Sequence, residues 1–324
     1  MSKCLGCGSL LTNKIDSVGY TNNLENKLCE RCFRIRNYNE YKQVIKSNDE
    51  YLNIIKEIKK DLVVLVIDLF DIPDNIDEIT NLINSDIILV LTKFDLIPSN
   101  YTDKFINYFK NNYHMNIVDI VVVSSKNNYG LDDLYNMINN YKVSDKVYFV
   151  GYTNAGKSSL INKIIYNYSD SDTVITTSNL PSTTLDTIEI KLNDITLIDT
   201  PGIINNGSII NYIDNDLLKR AIPSSKIKPI TYQIKTNQSI VIDKIFKINC
   251  ENNNSLTFYI SNKLKIERYY KDINYDNLEK KHIKVDNDSD MVIPGLGFIH
   301  VIKSDEFDIF CLSNVKIYTR KSIM

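Results

Sequence analysis

Eight residues constrain this chain more than any others: Gly151-Tyr152-Thr153-Asn154-Ala155-Gly156-Lys157-Ser158, a complete Gly-x4-Gly-Lys-Ser run, with Ser159 beside it. Lys146–Val150 before it reads as a strand, and Leu160-Ile161-Asn162-Lys163-Ile164-Ile165 after it has a helical pattern. In that setting the loop's backbone N–H groups and the helix N-terminus cradle phosphate oxygens. Lys157 reaches the β- and γ-phosphates, and Ser158 takes Mg²⁺. A chance match to the pattern would lack the strand before and the helix after. The loop must sit at the end of a buried strand.

Upstream, apolar residues at 41, 44, 45, 51, 52, 55 and 58 predict a helix between Tyr41 and Ile58. Leu62–Asp68 is continuous, short and β-branched, the mark of a parallel strand covered on both faces. A helix near 75–84, a strand Ile87–Leu91, a helix near 102–112, a strand Ile117–Val123 and a helix 131–140 follow. This alternation predicts an α/β domain with a parallel sheet and right-handed crossovers.

Three further motifs end at strand termini. Ile195–Asp199 leads into Asp199-Thr200-Pro201-Gly202, where the aspartate can hold Mg²⁺ and the glycine N–H can meet a γ-phosphate. Leu91-Thr92-Lys93-Phe94-Asp95 resembles Asn-Lys-x-Asp, whose carboxylate accepts N1–H and the exocyclic amine of guanine. Ser124-Ser125-Lys126 resembles the supporting Ser-Ala-Lys. Between the phosphate loop and Asp199 lies Pro181-Ser182-Thr183-Thr184, where one threonine can close over Mg²⁺; the bland reading is a Ser/Thr-rich loop.

Four of the six cysteines form Cys4-x2-Cys7 and Cys29-x2-Cys32. Two such knuckles complete a tetrahedral zinc site, and a module this short needs the metal in order to fold. A disulfide pair or a redox Cys-x-x-Cys explains the doubled spacing less well. Cys250 and Cys311 stand alone in apolar runs and read as core. His114, His282 and His300 are scattered and read as surface or packed residues.

The net charge of −2 conceals a pattern. Residues 61–220 carry 11 Lys/Arg against 21 Asp/Glu, whereas residues 1–60 and 221–324 each carry an excess of four basic residues. An acidic middle between basic ends leaves nucleic-acid binding open. No stretch has the length of a membrane span or the character of a signal peptide, so the expectation is a cytoplasmic protein, an organelle matrix being the second reading.

In a conventional GTPase the phosphate loop comes first and the guanine motifs last. Here the guanine motifs come first, a circular permutation that leaves every ligand loop at the carboxyl edge of one sheet. With the cysteine knuckles, this resembles the YqeH family of circularly permuted GTPases, associated with small-subunit ribosome assembly. Leu69-Phe70-Asp71, Ile227-Lys228-Pro229, Thr231-Tyr232 and Pro294-Gly295-Leu296-Gly297-Phe298 extend the resemblance over nearly the whole chain.

The resemblance implies GTP hydrolysis on a three-part protein whose flanks contact ribosomal RNA or protein; a monomer is expected. The implied domains are 1–40 (zinc), 41–222 (GTPase) and 223–324 (α+β or mostly β). It implies that Thr184 is the switch threonine and that Asn154 helps bind K⁺. The departures are Thr92 for Asn, Ser182 for Gly and Phe298 for Trp. Ile203 stands where many GTPases carry a water-positioning Gln, which predicts slow intrinsic hydrolysis, raised by K⁺ or by the ribosome. Only about twenty residues separate Gly202 from Pro223, so a γ-phosphate sensed there can reposition the C-terminal domain; a passive linker is the other reading.

In that domain, runs at Ile240–Ile248, Leu256–Ile260, Leu264–Tyr270 and Phe307–Tyr318 predict strands. Tyr259, Tyr269, Tyr270 and Phe298 among Lys263, Lys265, Arg268 and Lys271 suit RNA stacking or, equally, cross-strand packing. Arg31, Arg34 and Arg36 beside the second knuckle suit phosphates or a solvated helix face. The competing reading of the whole is an RNA-binding scaffold that binds GTP and hydrolyses it negligibly.

Overall fold

The computed structural model describes residues 2–38, 48–98, 102–113, 116–169, 185–271 and 273–324. By packing, these form two units. The first comprises Met1–Leu69, Asn75–Phe94 and Phe109–Ile204; the second comprises Phe70–Asp74, Asp95–Tyr108 and Asn205–Met324.

The first unit opens with the cysteine module and helix α1 (Glu30–Tyr38), then α2 (Asn48–Glu57). Residues 41–47 of the expected first helix lie outside the described residues. Strand β1 (Leu62–Asp68) is buried at all seven positions, as its unbroken apolar sequence requires. There follow α3 (Ile76–Thr80), shorter than expected, β2 (Ile87–Thr92), α4 (Thr102–Asn112), of which Thr102–Tyr108 belongs to the second unit, β3 (Ile117–Val122) and α5 (Leu131–Tyr141). Next come β4 (Lys146–Gly151), α6 (Lys157–Tyr168), β5 (Ile188–Leu192) and β6 (Ile195–Asp199).

The sheet order is β3-β2-β1-β4-β6-β5, parallel except for β5, which forms a hairpin with β6. Helix α6 buries Leu160, Ile161, Ile164 and Ile165, the spacing of one helical face. β5 was not expected, although its alternation of buried Ile188, Ile190 and Leu192 with exposed Glu189 and Lys191 carries the period-2 signal of a half-covered edge strand.

The second unit holds α7 (Asn215–Ala221), capped by Asp214, whose carboxylate accepts the Leu217 N–H at 2.8 Å. Its ten described strands are β7 (Ile230–Ile234), β8 (Ser239–Ile242), β9 (Phe246–Cys250), β10 (Asn254–Ile260), β11 (Ile266–Tyr269), β12 (Glu279–Val285), β13 (Ser289–Ile293), β14 (Gly297–Val301), β15 (Asp305–Cys311) and β16 (Tyr318–Lys321). They form two antiparallel sheets, β16-β13-β14-β10-β7 and β11-β8-β9-β15-β12. The expected single run Ile240–Ile248 is a hairpin instead, because Asp243 and Lys244 both take positive φ and turn the chain. The run Phe307–Tyr318 likewise breaks into β15 and β16.

Phe298 takes the cross-strand reading of its set, opposite Tyr259 in the β10–β14 register. It is fully buried, with Tyr259 stacked at 4.7 Å and the Arg320 guanidinium 4.8 Å from its ring centre, so no base can reach it. Cys250 and Cys311 are buried core residues, as expected. His282 lies between Asp308 and Glu306, and His300 contacts Asp290; His114 lies outside the described residues.

Candidate functional site

β4 delivers the phosphate loop. Gly151 must be glycine because a Cβ would stand 2.2 Å from the Val66 carbonyl of β1, its register partner. Gly156 caps α6 at φ 93° and Asn154 sits at φ 63°, a conformation that asparagine tolerates better than most residues. Lys157 is buried, and its Nζ donates to the carbonyls of Gly151 and Tyr152, 3.0 Å each. Burial pushes its pKa down to about 8 against the opposing pull of Asp199. Ala155 is buried, Thr153 half-buried and Ser159 exposed.

Ser158 Oγ donates to Asp199 Oδ2 at 2.7 Å. Two oxygen donors side by side, next to a phosphate cradle, match the donor chemistry of Mg²⁺, which when bound neutralises charge on the β- and γ-phosphates. Beyond Asp199, Gly202 packs so closely on the loop that a Cβ there would lie 2.8 Å from Thr153 Cα. Ile203 N–H donates to Gly151 O at 3.1 Å, and its carbonyl accepts Thr153 N–H at 2.9 Å. The buried Ile203 side chain offers water no hydrogen bond. Pro181, Ser182, Thr183 and Thr184 lie outside the described residues.

The guanine motifs follow the neighbouring strands. Thr92, the partner of Asp68 in the β1–β2 register, is buried, and its hydroxyl is within 2.6 Å of Ala155 O and 3.1 Å of Ile67 O. Lys93 takes φ 60° and its Nζ pairs with Asp68 Oδ2 at 2.7 Å. Asp68 was not singled out from the sequence, though an acid ending a buried apolar strand is a readable signal. Asp95 lies in the 3-10 turn Phe94–Leu96 that follows β2. Phe94 stands 5.0 Å from the Tyr129 ring. After β3, Ser124 is buried and its Oγ accepts Asn127 N–H at 3.3 Å, with Ser125 half-buried and Lys126 exposed. The phosphate loop, Asp199–Gly202, Thr92–Lys93 and Ser124–Lys126 thus follow the carboxyl ends of parallel strands β4, β6, β2 and β3.

The four cysteine sulfurs of Cys4, Cys7, Cys29 and Cys32 lie within 4.8 Å of one another, all buried, with Cys7 and Cys29 sulfurs 3.8 Å apart. A tetrahedron with Zn–S near 2.3 Å has sulfurs about 3.8 Å apart, so the residues fit zinc. N–H groups of Gly6 and Cys29 donate to Cys4 Sγ, and Cys32 N–H donates to Cys29 Sγ. Hydrogen bonding from Cys29, then from Cys32 and Cys7, holds the Cys4 thiol below its ordinary range, whereas the Cys29 and Cys32 thiols, which share those contacts, are pushed up.

This arrangement defines a P-loop GTPase whose motifs run in permuted order. Residues 146–263 match the family described as 50S ribosome-binding GTPase. The chain is 32% identical to "Uncharacterized protein YqeH" of Bacillus subtilis over 99% of both chains. It is 26% identical to NO-associated protein 1, chloroplastic/mitochondrial, of Arabidopsis thaliana over 73% of this chain and 49% of that one. It is also 31% identical to GTPase Der of Clostridium botulinum over 36% of this chain and 27% of that one. The chain belongs to the YqeH family of circularly permuted GTPases.

Proposed function

We propose that this GTPase is an assembly factor for the small ribosomal subunit, with its nucleotide state coupled to RNA or ribosome binding. In this reading Asp95 selects guanine with Thr92, Lys93 and Ser124–Lys126 in support. Lys157 and the 151–159 loop hold the phosphates, Ser158, Asp199 and Thr184 hold Mg²⁺, and Gly202 senses the γ-phosphate. The observation that carries it is the meeting of these four motif loops at the ends of parallel strands, in permuted order, in a chain that also carries the cysteine cluster. No helix among the described residues is long and apolar enough to cross a membrane.

Hydrolysis is intrinsically slow, because Ile203 cannot orient water, and K⁺ at Asn154 or the subunit itself supplies the missing stabilisation. The segment following Gly202 supports coupling to the C-terminal sheets. Ile209 N–H donates to Pro294 O at 2.9 Å, and a Cβ at Gly295 would strike Ser208 Oγ at 2.3 Å. Gly295 N–H also donates to Asp71 Oδ1 at 3.1 Å, so both the 205–211 and the 70–74 segments meet the same turn of the second unit. Arg34 and Arg36 are exposed on α1, where Arg34 pairs with Glu30, and Tyr270 and Lys271 are exposed after β11, which supports a basic and aromatic surface for a ribosomal partner.

The test is multiple-turnover phosphate release with small subunits, with large subunits, and with neither, each in K⁺ and in Na⁺. Stimulation by small subunits alone is expected. Stimulation by large subunits alone would redirect the partner towards the 50S subunit, after which the matching family is named. No release in any arm would favour the scaffold reading, and equal rates in Na⁺ and K⁺ would remove the cation from the mechanism.

A further inference from the structure

The residue after Ile203 is held by an amide from a distant part of the chain. Asn48, the first residue of α2, donates from Nδ2 to the Ile204 carbonyl at 2.8 Å, and its Oδ1 accepts the Ile204 N–H at 2.9 Å. One side chain thus takes both main-chain groups of a residue 156 positions away. Reversing the amide would set donor against donor and acceptor against acceptor, so the contact admits one orientation.

Ile203 is bonded in the same manner to the phosphate loop. Its N–H donates to Gly151 O at 3.1 Å and its carbonyl accepts Thr153 N–H at 2.9 Å, a parallel bridge to Tyr152. Ile203 and Ile204 therefore commit four successive main-chain groups, two to the loop and two to Asn48. Gly202 stands directly before them, with no room for a Cβ against Thr153. This stretch cannot slide along the phosphate loop without parting the amide pair. Ile204 is also the last residue of the first unit, so Asn48 grips the segment at the point from which the chain departs.

We infer that Asn48 is a positioning residue for hydrolysis, a latch that keeps the Asp199–Ile204 segment, and with it Gly202, against the phosphate loop. The inference rests on Gly202 being the γ-phosphate sensor. GDP lacks the group that Gly202 would meet, so its binding draws on the phosphate loop and the guanine motifs. A GTP analogue, and the hydrolytic step, draw on the latched segment as well. Loss of the latch then lowers kcat and GTP-analogue affinity and spares GDP. Asn48 acts through Ile204, not on the nucleotide.

Two variants test this. Asn48→Ala removes both bonds and installs a strong helix former at the start of α2. Asn48→Asp keeps the shape, sets a carboxylate oxygen against the Ile204 carbonyl, and adds a charge that a helix N-terminus favours. Neither weakens α2 itself. In both, kcat and the ratio of GTP-analogue to GDP affinity should fall by roughly five-fold or more, as two hydrogen bonds are lost or opposed. Equal losses for the two nucleotides, an unchanged ratio or a raised kcat would overturn the proposal. In a Gly202→Ala background, where the segment is already lifted, Asn48→Ala should lower kcat by less than about two-fold further. A full further loss there would place its action elsewhere and also overturn it. Hydrogen exchange at the Ile203 and Ile204 amides, with GDP bound, should quicken in Asn48→Ala; unchanged exchange would show that the amide latches nothing. Undiminished hydrolysis in Gly202→Ala alone would instead fail the sensor assignment, a result separable from the exchange measurement.

Discussion

The Thr92 hydroxyl lies 2.6 Å from the carbonyl oxygen of Ala155, joining the start of the guanine motif to the phosphate loop. Its one proton is shared between Ala155 O and Ile67 O, both buried contacts. The departure from Asn at this position therefore keeps a bridging hydroxyl inside the site. Thr92→Val, which preserves shape and removes the donor, leaves two carbonyls short and costs about 1–3 kcal/mol. GTP and GDP affinities should both fall by roughly ten-fold with the guanine preference unchanged, measured by titration calorimetry. A changed base preference with unchanged affinity would contradict the bridging role.

Lys157 gives a pH signature. Burial holds it down to about 8 in the nucleotide-free protein, so the neutral amine gains population above that pH. Arriving phosphates favour the ammonium form and raise the value, so above about pH 8 binding takes up a proton and affinity falls as pH rises. Below that range Lys157 is already charged and affinity is flat. Calorimetry near pH 9 in buffers of different ionisation heat should show proton uptake that is small near pH 7; no uptake at the higher pH would refute the shift.

Gly202→Ala places a methyl group 2.8 Å from Thr153 Cα and 2.9 Å from its nitrogen, backbone atoms that cannot step aside cheaply. The segment beyond Asp199 must then lift off the phosphate loop. GDP binding should persist while kcat falls by at least about ten-fold. Stopped-flow binding and phosphate release separate the two, and an unchanged kcat would remove Gly202 from the hydrolytic step.

Asp95→Asn replaces a carboxylate acceptor with an amide, which offers xanthine the donor that guanine lacks a use for. Preference should move from GTP to XTP by about two orders of magnitude or more, as sites built around a specific hydrogen-bond pair do. Competition binding with the two nucleotides reads this directly. An unshifted preference would place base recognition elsewhere.

Removing zinc should unfold the cysteine module first, since residues 2–38 bury little beyond the sulfurs and their apolar neighbours. Trypsin should then cut at Lys14 and Lys27, both exposed, before it cuts the sheet. Simultaneous loss of all fragments would show instead that the module and the sheet unfold together.

The central strands were legible because a strand covered on both faces has no polar position to spare, as in Leu62–Asp68 and Ile87–Thr92. The phosphate loop was legible because its glycines and lysine are set by backbone conformation and charge within eight consecutive residues. The C-terminal sheets were harder. β7 and β12 present mostly exposed side chains, so no hydrophobic period marks them. β14 carries Phe298, whose aromatic character in sequence is the same whether it stacks on a base or, as here, on Tyr259. The Asp68–Lys93 pair and the Cys7–Leu185 contact join residues far apart in the chain, and no local pattern encodes such meetings.

The permuted order has a consequence for how the sheet holds together. Strands β1–β3, which carry the guanine motifs, form one contiguous stretch of chain, and β4–β6, which carry the phosphate motifs, form another. The two halves share one strand seam, β1 against β4, running from Leu62 and Val147 to Val66 and Gly151. A nucleotide held as proposed, its base by the loops after β2 and β3 and its phosphates by the loops after β4 and β6, would span that seam like a staple. During synthesis the guanine half emerges first and waits for its partner, and ligand that binds only the joined sheet pulls the equilibrium towards closure. GTP is then part of what completes the domain as well as what the domain consumes.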